Sequence, residues 1–144
     1  MKKTLIVFTA VVSLALFTGC KKNKVLECSM TESETGYSMK GTEKITFKGN
    51  SVEDYSATFT LELDDDYVAY KDMVVSAFEK QMDRYKNIDG VKLNTETTDT
   101  GVKVTMSADV QKMDDSGLKS LELSKKASYD ATKKDRENSG YKCK

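Results

Sequence analysis

The chain has 144 residues, with 23 Lys and Arg against 23 Asp and Glu, and contains no His, Pro or Trp. That length allows one domain of ordinary size, and the balanced charge argues against a nucleic-acid partner. Without His there is no Ser-His-Asp or Cys-His catalytic arrangement and no His-containing zinc site.

Residues 1–19 read as an export signal. Lys2 and Lys3 form the basic start, and Leu5 to Phe17 the apolar stretch. That stretch is short of the roughly 20 residues a helix needs to cross a bilayer, and small residues precede Cys20, as in a cleaved signal. Phe17-Thr18-Gly19-Cys20 resembles the lipobox of bacterial lipoproteins, with Phe where Leu is usual. The resemblance implies cleavage before Cys20, a diacylglycerol on its Sγ, and a membrane partner at the extracytoplasmic face of the cell envelope. Two acyl chains anchor stably where one holds marginally, at about 0.8 kcal/mol per buried CH₂. Residues 20–24 then form the lipidated Cys and a tether containing Lys21, Lys22 and Lys24. Four residues at about 3.3 Å each reach about 13 Å, so the domain over residues 25–144 is expected close to the bilayer. The lysines add attraction to anionic headgroups, keep the tether soluble, or do both.

Strand signals come next. Leu26, Cys28 and Met30 alternate within Lys24–Thr31, and Glu32–Gly36 reads as a turn. From Tyr37 to Phe47, Tyr37, Met39, Ile45 and Phe47 share one face. Lys48-Gly49-Asn50-Ser51 is a hairpin turn, because Gly and Asn tolerate positive φ. Tyr55, Ala57, Phe59, Leu61 and Leu63 then alternate with polar residues, the period of antiparallel strands with one buried face.

The period changes at Tyr67. Tyr67, Tyr70, Val74, Phe78, Met82 or Gln81, Tyr85 and Ile88 recur every three or four residues, as on an amphipathic helix. Asp64-Asp65-Asp66 offers its cap and Gly90 its C′ stop. Two further strands follow, with Val91, Leu93 and Thr95 inward on one and Val102, Val104, Met106 and Ala108 inward on the other. Thr98–Gly101 turns between them. Asp114–Leu121 reads as a short helical turn, Ser128 caps a last helix to about Asn138, and Tyr141–Cys143 returns to the sheet. The expected fold is α+β: an antiparallel sheet of about five strands, with one long and one or two short helices on one face as a two-layer sandwich.

The lipobox, the Lys-Ile-Thr-Phe-Lys-Gly-Asn hairpin, the Tyr-rich helix ending in Asp-Gly-Val and the closing Gly-Tyr-Lys-Cys-Lys resemble the YehR-type lipoproteins. More closely, they resemble small lipoproteins of Firmicutes-like bacteria with a Cys near each end. The resemblance implies this strand and helix order and brings no activity, ligand or catalytic residue.

Removing residues 1–19 leaves 125 residues with 21 basic and 23 acidic side chains, since the removed segment holds two lysines and no acid. Lys125–Lys144 is the basic end, with seven basic residues against three acidic, and reads as a solvated face. With Cys20 lipidated, Cys28 and Cys143 remain as an even pair flanking the domain. In an exported chain that suggests a disulfide, worth up to about 4.7 kcal/mol for a loop of about 100 residues. Two buried free thiols are the alternative.

Candidate chemistry is sparse. Ser116 and Lys119 match Ser-x-x-Lys, but the Ser-Asp-Asn and Lys-Thr-Gly partners of that nucleophile are absent. Asn87, Asp89, Gly90 and Glu96 fit part of a calcium loop, yet Tyr85 stands where its first carboxylate belongs. The Asp64–Asp66 run and the Asp114-Asp115 pair offer loose cation binding as one reading, but both are explained as helix starts. Tyr67, Tyr70 and Tyr85 suit either a core stripe with hydroxyls at its rim or a protein interface. The expected role is that of a non-catalytic, membrane-anchored interaction or ligand-binding module, without cofactor or metal, whose partner is an envelope protein or glycan. A small envelope hydrolase using an Asp/Glu pair is the alternative, and requires two acids about 5–10 Å apart.

Overall fold

The computed structural model describes residues 22–144; the expected signal segment, the lipidation residue Cys20 and Lys21 lie outside the described residues. The chain runs β1 (Asn23–Glu34), β2 (Tyr37–Lys48), β3 (Ser51–Leu63), α1 (Lys71–Lys86), β4 (Val91–Thr97), β5 (Gly101–Asp109), α2 (Asp115–Ser120), α3 (Tyr129–Asn138) and β6 (Lys142–Cys143). The fold is α+β, and the sheet is antiparallel with order β4-β5-β3-β2-β1-β6. It has six strands rather than the expected five or so. The sixth, β6, is the expected return of Tyr141–Cys143 to the sheet; it is two residues long and pairs with Cys28 and Ser29 of β1.

The first three strands form a meander. Gly49 at φ +65° and Asn50 make the two-residue link between β2 and β3, with Lys48 paired to Ser51. The turn between β1 and β2 is tighter than expected, because Glu34 pairs directly with Tyr37. A bulge at Thr46/Phe47 sets Phe47 opposite Val52 and Thr46 opposite Asp54. It switches the buried set of β3 from the even Val52 to the odd Tyr55, Ala57, Leu61 and Leu63, as an inserted residue must in a period-two strand. The chain then passes through α1 and β4 before β5 pairs with β3.

The buried residues form two clusters. The larger joins Leu26, Cys28, Ile45, Phe47, Val52 and Tyr55 with Met113, Leu118 and Leu121 from the α2 region. The smaller joins Leu61, Leu63, Val102 and Val104 with Val75 of α1. The long helix begins later than the Tyr67 stripe suggests. Residues Asp65–Tyr70 are a 3₁₀ segment, whose tighter turn breaks the 3.6-residue period. Tyr67 and Tyr70 are consequently exposed, and Val75 is the buried residue of α1. Asp64 provides no side-chain cap; its carboxylate accepts the Gly36 N–H instead, at 3.1 Å. Gly90 lies four residues beyond the helix end at φ +85°, so it turns the chain into β4 rather than serving as C′. Among the described residues no helix is long and apolar enough to cross a membrane.

Candidate functional site

Two of the sequence-predicted residues are brought together. Cys28 and Cys143 are paired across β1 and β6 and form a disulfide, with Cα atoms 4.0 Å apart. The same register row continues from Cys28 to Glu43 on β2, Ala57 on β3 and Met106 on β5. All four are buried, so an acidic side chain stands in the middle of the apolar set.

Its partner comes from the basic C-terminal segment. Ser128 caps α3 as expected, its hydroxyl accepting the Ala131 N–H at 3.2 Å. At the other end, the Tyr141 N–H donates to the Arg136 carbonyl and the Gly140 N–H to that of Glu137, both at 3.1 Å. With Gly140 at φ +93°, this is a Schellman ending, which folds the C″ residue, Tyr141, back over Arg136. The guanidinium Nε of Arg136 lies 3.0 Å from Glu43 Oε2, and the Tyr55 hydroxyl donates to Glu43 Oε1 at 3.0 Å. Burial, and then the nearby Glu43 carboxylate, push both phenols above the usual tyrosine range; Tyr141 rises to about 12.

A third contact comes from the end of α2. Asp114 caps that helix by accepting the Gly117 N–H at 2.7 Å. Its far end is also a Schellman motif, Leu123 N–H to Leu118 O at 2.8 Å and Glu122 N–H to Lys119 O at 3.2 Å. Here the left-handed C′ position, φ +53°, is occupied by Glu122 instead of glycine. An L-residue there costs on the order of 1 kcal/mol. The Glu122 carboxylate lies 3.6 Å from Arg136 Nη1 while remaining mostly exposed.

The guanidinium is not fully used. Arg136 is 7 % exposed. Its Nε and Glu43 Oε2 meet as charges without an aligned hydrogen bond, and Nη2 has no hydrogen-bond partner among the described residues. A buried donor left without an acceptor costs about 1–3 kcal/mol, more when charged. Arg136, Glu43, Tyr55 and Tyr141 line a cavity of about 590 Å³, within the 300–1,000 Å³ range of small-molecule sites. Its apolar lining is Met39, Phe59 and Met106 from the sheet with Phe78, Met82 and Tyr85 from α1. Glu122, Lys119 and Arg84 complete the charged lining.

The other sequence candidates do not converge on this cleft. Ser116 and Lys119 are both exposed on α2, and only Lys119 lines the cavity. The partial calcium loop is absent as a loop, since Val91–Thr97 is strand. Among the described residues no group of three or more His, Cys, Asp or Glu is placed to hold a metal ion. A second concavity, about 520 Å³, lies around Glu27, Ser29, Thr42 and Lys44, whose side chains are exposed. Sequence reasoning missed both Glu43 and Arg136. Glu43 was detectable by parity, since it shares the odd-numbered face of Tyr37, Met39, Ile45 and Phe47.

The chain matches no family model, and it matches no curated protein. A solved structure, an NMR structure of a protein from Streptococcus pneumoniae TIGR4, is similar at a TM-score of 0.55 and 17% identity, covering 100% of this chain and 98% of that one. At that identity the likeness is one of fold.

Proposed function

We propose that this protein is a membrane-anchored lipoprotein of the bacterial envelope whose domain is a non-catalytic binding module, with the cleft around Arg136 as its binding site. The anchor is the diacylglycerol expected on Cys20, supported by the lipobox-like Phe17–Cys20 and the basic and apolar segments before it. In this reading the three helices lie as one layer over the buried face of the sheet, and the cleft opens between α1 and the α2–α3 segment.

The observation that carries the binding role is a buried arginine whose Nη2 has no hydrogen-bond partner among the described residues, in the wall of a cavity of ligand size with both apolar and charged lining. Folding retains an unpaired charged donor at a cost, and a bound acceptor would remove that cost. Glu43 and Glu122 both serve as counter-charges to the same guanidinium, which favours a binding role for them over hydrolysis.

Two measurements on protein from its native membrane test the proposal. Intact-mass analysis should give a chain beginning at Cys20 with the added mass of a diacylglycerol; an unlipidated N-terminus elsewhere would remove the anchor. A photo-crosslinking side chain at Gln81, exposed on α1 and lining the cleft, should capture an envelope component that one at Met73 does not. Equal capture at both positions would place the binding surface elsewhere.

A further inference from the structure

We infer that the cleft takes a single-chain amphiphile with a carboxylate head, the head at the Arg136 guanidinium beside Glu122 and the alkyl chain along the apolar lining. This rests on the reading of the cleft as a binding site and specifies what occupies it.

The head is set by charge. Three cations, Arg84, Lys119 and Arg136, and two anions, Glu43 and Glu122, line the cavity, leaving one positive charge in excess. An ionised acceptor is the better partner for a guanidinium, since charge-assisted hydrogen bonds are about twice as strong as neutral ones. One anionic head neutralises that excess. Glu122 already brings a carboxylate to Nη1 on the same guanidinium, 3.6 Å away, from a side chain 80% exposed. It therefore competes with an incoming anion from the rim without blocking it.

The chain is set by the wall. Three of the apolar lining residues are Met39, Met82 and Met106. Unbranched thioethers repack around a flexible chain more readily than branched side chains do. Phe59 and Phe78 add apolar area. A rigid planar ligand would gain less from so adaptable a lining.

The test uses calorimetric titration of the full chain carrying Cys20→Ala, so that no lipid is attached, with decanoate, decanol and butyrate as probes. Decanoate is expected to bind one to one, and decanol and butyrate at least about tenfold more weakly, because each lacks one half of the recognition. Glu122→Gln removes the competing charge and should tighten decanoate binding several-fold while leaving decanol unchanged. Met82→Glu, on the half-buried wall of α1, should abolish decanoate binding in a chain that still unfolds in one cooperative transition. Decanol binding as tightly as decanoate, with both lost in Met82→Glu, would overturn the carboxylate head and leave the cleft as a binding site. Decanoate binding unaffected by Met82→Glu, or no binding of any probe to the folded chain, would overturn the inference; crosslinking from Gln81 then decides whether the cleft binds something else.

Discussion

The two sides of the cleft are held by different means. On the α3 side, a disulfide, a buried ion pair and a glycine-capped helix end fix Arg136 and Tyr141 against the sheet. On the α1 side, Val75 is the buried residue of the helix, and Tyr70 and Met73 near its start are 57% and 66% exposed. Few buried contacts mean a low local free energy of opening. The polar wall is thus fixed where hydrogen-bond geometry matters, and the part of the apolar wall that α1 supplies is lightly held where an adaptable surface suffices.

The largest effect should come from breaking the fixed side. Glu43→Ala removes the buried counter-charge of Arg136 and leaves only the mostly exposed Glu122 beside it, and is expected to cost about 3–5 kcal/mol in urea unfolding. Glu43→Leu with Arg136→Met, which removes both charges, should recover most of that loss. Recovery no better than the single change would mean that packing, and not charge, holds the wall. Next comes the disulfide: replacing Cys28 and Cys143 by Ser should lower stability by about 2–4 kcal/mol, measured against the wild type with and without reductant.

The phenols give a pH signature. The folded protein raises Tyr141 to about 12, first by burial and then through Glu43, and raises Tyr55 by the same two causes. A tyrosine unfolded ionises near 10. The folded form therefore holds these protons more tightly, and this contribution to stability is complete below pH 10. It declines as pH rises from there through about 12, where Tyr141 ionises in the folded state. Ultraviolet titration of tyrosinate should show a late-ionising component that shrinks in Tyr141→Phe. The smallest effect should lie on the lightly held side. Met73→Ser touches an exposed position and should change stability by no more than about 0.5 kcal/mol.

Much of the fold could be read from the chain because its signals are local. Alternation gave the strands, Gly49-Asn50 the hairpin, and Ser128 and Gly140 the limits of α3. The count of cysteines suggested the disulfide that joins the strands carrying them. The 3₁₀ segment at Asp65–Tyr70 was hidden because the Tyr spacing also fits an α-helix. The pairing of β5 with β3 was hidden because chain order does not specify which strands neighbour across a helix. The site was hardest to see. Glu43 looks like an interruption in an apolar pattern, and Arg136 is one of seven basic residues in a segment that reads as solvated. Their ion pair is made between residues distant in sequence, and neither carries a local signature of it.

Methionine methyl resonances report whether the cleft between the two walls binds a ligand. Met39, Met82 and Met106 line the cleft, Met113 is in the core, and Met73 is exposed on α1 outside the cleft lining. Titrating the folded chain with decanoate should shift the first three methyls together, with one saturation curve, and leave Met73 and Met113 in place. Shifts confined to Met73, or a uniform drift of all methyls without saturation, would mean that the cleft does not bind it.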